Sequence, residues 1–112
     1  MRNDTGSPRL GEVEQLVLLA VLRLGGPAYA VPIRELIRAE GGVALARGSI
    51  YVTLDRLEAK GYLRSSFSEP LAEPGGKARR LFEVSPAGVT ALRAARRAVD
   101  RLSAGTVLER EA

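Results

Sequence analysis

Gly48-Ser49-Ile50-Tyr51-Val52-Thr53-Leu54-Asp55-Arg56-Leu57-Glu58-Ala59-Lys60-Gly61, followed at once by Tyr62-Leu63-Arg64-Ser65-Ser66-Phe67, is where the fold can be read. Ile50, Leu54 and Leu57 fall within about 60° of one another on a helical wheel, so they face a core. The spacing predicts a helix from Gly48 or Ser49 to Lys60, stopped by Gly61. Its opposite arc carries Ser49, Val52, Thr53, Arg56 and Lys60, with Arg47 just ahead and Tyr51 and Asp55 on the flank. Hydroxyls suit phosphates and base edges, a valine suits a thymine methyl, and an arginine suits a guanine edge or a phosphate.

The residues after Gly61 switch from helical to alternating spacing. Tyr62 to Phe67 reads as a strand with Leu63, Ser65 and Phe67 on one side, and Arg80 to Val84 as the strand that returns. Between them, residues 68–78 are rich in Pro and Gly and form the loop of a β-hairpin. Lys77, Arg79 and Arg80 sit where this loop rejoins the second strand, placed to contact phosphates. Glu69 and Glu73 near the tip argue that contact is made at the basic end of the loop and not at its prolines.

Upstream, Leu10 to Leu24 has helical spacing, with Leu10, Val13, Val17, Ala20, Val21 and Leu24 as the core stripe. Leu16, Leu18, Leu19 and Leu22 form a surplus apolar face, which a surface helix of a monomer rarely carries. Gly25-Gly26-Pro27 ends that helix. A shorter one spans Val31 to Glu40, with Pro32 in its first turn and Ile33, Leu36 and Ile37 inward, and Val43 to Leu45 is an extended link. Downstream, Ser85-Pro86 supplies an N-cap and first-turn proline for a last helix, Pro86 to Ala104, with a stripe of Val89, Leu92, Ala95, Val99 and Leu102. The expected architecture is mainly α with a small β-hairpin: a winged helix-turn-helix of three helices plus wing, then a C-terminal dimerisation helix. Residues 1–8 read as a disordered arm, 9–85 as the DNA-binding domain, and 86–112 as the dimerisation helix with a fraying tail.

Composition narrows the function. The 112 residues contain no His and no Cys, which removes thiolate and imidazole metal sites, Cys nucleophiles and Ser-His-Asp triads. An enzyme has little to stand on, and no metal or cofactor is expected. The longest apolar run, Leu16 to Leu22, is too short to span a membrane, and the first eight residues lack the apolar centre of a secretory signal, so the cytoplasm is the expected location. The net charge is +4, and the excess is local: residues 1–46 balance, whereas 76–101 hold seven cations (Lys77, Arg79, Arg80, Arg93, Arg96, Arg97, Arg101) against Glu83 and Asp100. A localised excess points to a polyanion. The competing class is a winged domain that binds protein, for which an acidic or apolar face on the third helix is expected instead.

The run Gly48-Ser49-Ile50-Tyr51, Leu54, Arg56-Leu57-Glu58, Gly61-Tyr62-Leu63, with Gly75-Gly76, Arg80-Leu81-Phe82-Glu83-Val84-Ser85, Gly88 and Leu92, resembles PadR-type transcriptional regulators. The resemblance implies a homodimeric bacterial regulator of a nearby operon or its own gene, usually a repressor, bound to double-stranded operator DNA. It implies that Tyr51 touches the DNA backbone, that Ser49 and Thr53 are recognition-helix contacts, and that Arg80 is a basic wing position. Two departures stand out: Tyr29 is followed by Ala30 where the family often has glycine, and Leu81-Phe82 stands where two aromatics are common. The single C-terminal helix resembles the shorter subgroup.

For the dimer, the last helix is expected to cross onto the first helix of a second subunit, using Val89, Leu92, Val99 and Leu102 against Leu16, Leu18, Leu19 and Leu22; folding back onto its own domain is the alternative. All five aromatics lie between Tyr29 and Phe82, so a small effector at the dimer centre would be apolar and would meet mainly Leu, Val and Ala. Arg93, Arg97 and Arg101 repeat at i, i+4, i+8, a like-charged ridge that awaits an acidic partner or solvent.

Overall fold

The computed structural model describes residues 9–69 and 78–110. Among them the elements run α1 (Glu12–Leu24), α2 (Ala30–Gly41), α3 (Arg47–Ala59), β1 (Leu63–Phe67), β2 (Arg80–Val84), α4 (Pro86–Ser103) and a one-turn α5 (Val107–Arg110). The expected order is present, each helix and strand end lying within a few residues of its expected place. The N-terminal arm, the loop tip and Lys77 lie outside the described residues.

One core serves the whole domain. Val17, Leu18 and Val21 of α1, Ile33 and Ile37 of α2, and Ile50, Leu54 and Leu57 of α3 enclose Leu63 and Phe82 from the hairpin. The strands pair antiparallel from Leu63 opposite Val84 to Phe67 opposite Arg80. The α1–α2 connection adds a feature that alternation did not reveal: Ala28 exchanges two 2.9 Å backbone hydrogen bonds with Phe82, a third strand reduced to one residue. α2 begins two residues later at Ala30, so the bridge cannot lengthen on that side.

The core stripe of α1 is rotated from the expected one. Leu18, expected on the surplus face, is fully buried, whereas Leu24, expected in the core, is 41% exposed. The cause is Glu14, which lies one turn before Leu18 on the same face and is buried too. A charged residue counted as solvent-facing pulls the apparent stripe toward Leu24.

The first two turns of α4 belong to this core and not to a separate segment. Ser85, 4% exposed, accepts the Gly88 N–H at 3.0 Å as N-cap, and its hydroxyl donates to the Gly61 carbonyl at 2.6 Å. Ser85→Ala removes the cap and strands that carbonyl, so unfolding free energy should fall by about 2 kcal/mol in urea titrations; an unchanged midpoint would contradict it. Leu92, 4% exposed, is the last residue of α4 buried in its own domain. It is therefore not a free interface residue, contrary to expectation. Beyond it the helix leaves the body, with Val99 59% and Leu102 82% exposed.

Candidate nucleic-acid interface

α3 lies with Ile50, Leu54 and Leu57 inward and Arg47, Ser49, Tyr51, Val52 and Arg56 exposed. Arg47 and Arg56 have no ion-pair partner among the described residues. The helix starts without a side-chain cap or an acidic residue in its first turn, so its N-terminal amides add positive potential beside Arg47. Upstream, Arg34 Nε donates to the Leu45 carbonyl at 2.6 Å and fixes the link that delivers α3.

Two residues expected on the exposed arc lie at its edge against α1 and are used internally. Thr53 is 6% exposed and its hydroxyl donates to the Ser49 carbonyl at 2.9 Å, one turn back. Lys60 Nζ bridges both carboxylate oxygens of Glu14, at 2.9 and 2.8 Å, and donates to the Arg9 carbonyl at 2.8 Å. The exposed arc is thus centred nearer Val52 than the wheel suggested, because Glu14 of α1 claims the Lys60 edge. Tyr62 lies nearby, and its hydroxyl is pushed to a higher pKa first by burial and then by the Glu14 charge.

At the wing base the two arginines differ. Arg79 is exposed, with its guanidinium 5.2 Å from the centre of the Tyr29 ring, within cation–π range. Arg80, expected at a phosphate, instead bonds Asp55 Oδ1 at 2.9 Å and Glu58 Oε1 on the flank of α3, and lies 4.8 Å from the Phe82 ring centre. Glu58 accepts a second hydrogen bond from the Ser65 hydroxyl at 2.7 Å. That bond, and then Arg80, hold its carboxyl below the ordinary range against partial desolvation. With its folded value depressed, Glu58 stabilises the fold above its unfolded pKa and loses that contribution as pH falls through the folded one. Desolvation works against the Arg80 charge, but the hydrogen bonds to Asp55 and Glu58 outweigh it and raise the pKa further. Neither carboxylate was marked by the sequence as a partner for Arg80. Their i, i+3 spacing on one helix flank was the available signal.

A family model for the transcriptional regulator PadR-like family matches residues 18–94, more than two thirds of the chain. The chain belongs to the PadR-like family of transcriptional regulators. Its winged-helix fold is shared with a transcriptional regulator from Clostridium thermocellum (20% identity, TM-score 0.69, 81% of this chain and 85% of that one). A PadR family regulator from Eggerthella lenta is similar at 26% identity and TM-score 0.65, covering 84% of this chain and 81% of its own. Bacillus subtilis PadR, solved in complex with operator DNA, matches at 14% identity and TM-score 0.62 over 73% of this chain, which spans under half of that longer protein (45%). No curated protein matches the sequence. Members of the PadR-like family are regulators and not enzymes.

The expected interface residues separate by burial. Leu18 and Leu92 are consumed by their own core, and Val89 is half-buried. Leu16 and Leu19 are half-buried in a groove completed by Leu36 and Ile37 of α2, while Leu22 is 44% exposed. That groove encloses about 140 Å³, below the roughly 300 Å³ at which small-molecule sites begin. None of the helices among the described residues is long and apolar enough to cross a membrane.

Proposed function

We propose that this PadR-like chain is a homodimeric bacterial repressor that binds operator DNA in the cytoplasm, with α3 in the major groove and the wing along the phosphate backbone. The observation that carries this reading is the face of α3 that displays Ser49, Val52 and Arg56 beside Arg47, with its cations left unpaired among the described residues. Tyr51, 42% exposed between that face and the wing, and Arg79 at the wing base extend it to neighbouring phosphates. Lys77, outside the described residues, is assigned to the same backbone contact by its place in the loop. Thr53 shapes the helix face through its bond to Ser49, and Lys60 supports it from behind. Footprinting on the DNA immediately upstream of the chain's own gene tests the reading; a protected site that weakens steeply with salt supports it. Binding that is absent or insensitive to salt would favour a protein-interaction module.

Arg56→Ala should reduce the slope of log K against log salt by about 0.9 per subunit, and relax preference at one operator position if the side chain reads a base. Equal losses on operator and random duplex, measured by fluorescence anisotropy, would make Arg56 a phosphate contact only.

Two half-sites require two subunits. The outer half of α4, with Val99 and Leu102 bare, is the natural seam, meeting Leu22 and the Leu16/Leu19 groove of a second copy. A carboxylate in that seam would be desolvated without a partner, so Leu102→Glu should convert the dimer to a folded monomer in sedimentation velocity. A wild-type protein that sediments as a monomer would remove the dimer from the proposal.

A further inference from the structure

Arg80 is the one wing cation among the described residues whose charge is already spent within the chain. Its guanidinium forks between two carboxylates of α3, Asp55 and Glu58, and packs over Phe82, which is fully buried. Glu58 in turn takes the Ser65 hydroxyl of the facing strand, β1. Both strands of the hairpin are therefore tied to the same flank of α3, through one arginine and one serine. The side chain of Arg80 is about one third exposed (32%), less than Asp55 (62%) and about as much as Glu58 (36%). Next to it, Arg79 points to Tyr29 and has no carboxylate partner among the described residues.

We propose that Arg80 is a positioning residue that clasps the wing to α3, and that it does not neutralise a phosphate when DNA binds. The inference deepens the DNA-binding reading above. A phosphate would have to compete with two carboxylates for a guanidinium held in a planar fork, and winning would leave Asp55 and Glu58 uncompensated next to the polyanion. Held as it is, Arg80 does two things. It fixes the angle between α3 and the hairpin, so that Arg79 is held at a set distance from the bases that α3 reads. It also cancels negative charge on the α3 flank that would otherwise repel DNA. A lysine could supply the charge but not the fork or the stacked plane, because its ammonium is a single point of charge on a flexible stem.

The decisive variant removes the clasp without changing the charge balance against DNA by much: Arg80→Gln with Asp55→Asn and Glu58→Gln. Its binding to a random-sequence duplex is titrated by fluorescence anisotropy across salt, beside wild type and Arg56→Ala, and amide hydrogen exchange is followed in β1 and β2. The expected result is a salt slope equal to wild type, because on random-sequence duplex a loosened wing still meets phosphates through Arg79 without having to match bases read by α3, whereas Arg56→Ala loses about 0.9 per subunit. Exchange at Arg80–Val84 should rise roughly fivefold, the upper end for a half-exposed ion-pair network. A slope reduced by about 0.9 per subunit in the triple variant would show that Arg80 meets a phosphate and overturn the inference. Unchanged exchange would overturn it equally, since nothing would have been clasped. If the triple variant does not fold, Arg80→Lys carries the exchange arm, because lysine keeps the charge and with it the slope: faster wing exchange supports the clasp, and wild-type exchange refutes it. Failure of the wild-type protein to bind duplex at any salt would refute the DNA reading, while the exchange arm would still decide the clasp.

Discussion

Gly88→Ala should cost about 3 kcal/mol or more, although on an exposed helix the same change gains about 1 kcal/mol. A Cβ built on Gly88 would lie 2.3 Å from the Tyr62 carbonyl oxygen, 3.1 Å from its carbon and 2.9 Å from Val84 Cγ1. The first two are backbone atoms, so no rotamer change relieves the clash. Nor can the Tyr62 peptide retreat freely, because its oxygen accepts the Ser85 N–H at 3.0 Å and Tyr62 N–H donates to the Leu57 carbonyl at 2.9 Å. Moving it strains the turn that joins α3 to β1, where Gly61 already sits at φ 82°. Lifting α4 instead withdraws Leu92 from the core. Either route disturbs the anchoring of the last helix. Thermal unfolding followed by circular dichroism should show a Tm lower by roughly 10 °C or more. Ala94→Gly, on the exposed side of the same helix, should cost only about 1 kcal/mol and serves as the control. A Gly88→Ala protein melting within about 3 °C of wild type would mean that α4 does not approach the turn this closely.

The sequence exposed the parts of the fold governed by local rules. Ile50, Leu54 and Leu57 marked the inner face of α3, and Ser85-Pro86 marked the start of α4, because periodicity and capping need only neighbouring residues. It misplaced the parts decided by charged groups that meet across the fold. Glu14 and Lys60 are 46 positions apart, and Arg80 and Asp55 are 25 apart. Each such pair moves a residue from the solvent side of a helical wheel to an interior or shared edge. Three residues expected at DNA, Thr53, Lys60 and Arg80, are engaged within the chain for that reason or through a local hydroxyl bond. The exposed face of Ser49, Val52 and Arg56 was legible because, among the described residues, it stays open to solvent. The proposed dimer seam was half legible: leucine spacing on α1 and α4 announced surplus apolar surface. Only the packing shows that Leu18 and Leu92 are spent in the core while Val99 and Leu102 are left over.

Lys60→Ala should destabilise the domain by about 3 kcal/mol and leave the salt slope of DNA binding unaltered. The Lys60 side chain is 24% exposed and that of Glu14 only 7%. All three ammonium hydrogens have acceptors, two on Glu14 and one on the Arg9 carbonyl. Truncation leaves the Glu14 carboxylate nearly buried, still accepting the Gly11 N–H at 2.7 Å and close enough to the Tyr62 phenol to raise its pKa, but without its cation. The cost is that of an uncompensated charge and not the net worth of the pair. Hence Glu14→Leu combined with Lys60→Met should recover most of the loss, since Gly11 is exposed and its N–H can turn to water. A cation on the DNA face behaves otherwise: its removal lowers the slope by about 0.9 per subunit and hardly touches the urea midpoint. The two measurements therefore place Lys60 without ambiguity. A slope reduced by that amount with wild-type stability would return Lys60 to the DNA face and break the tie between α1 and α3 on which the orientation of the reading helix rests.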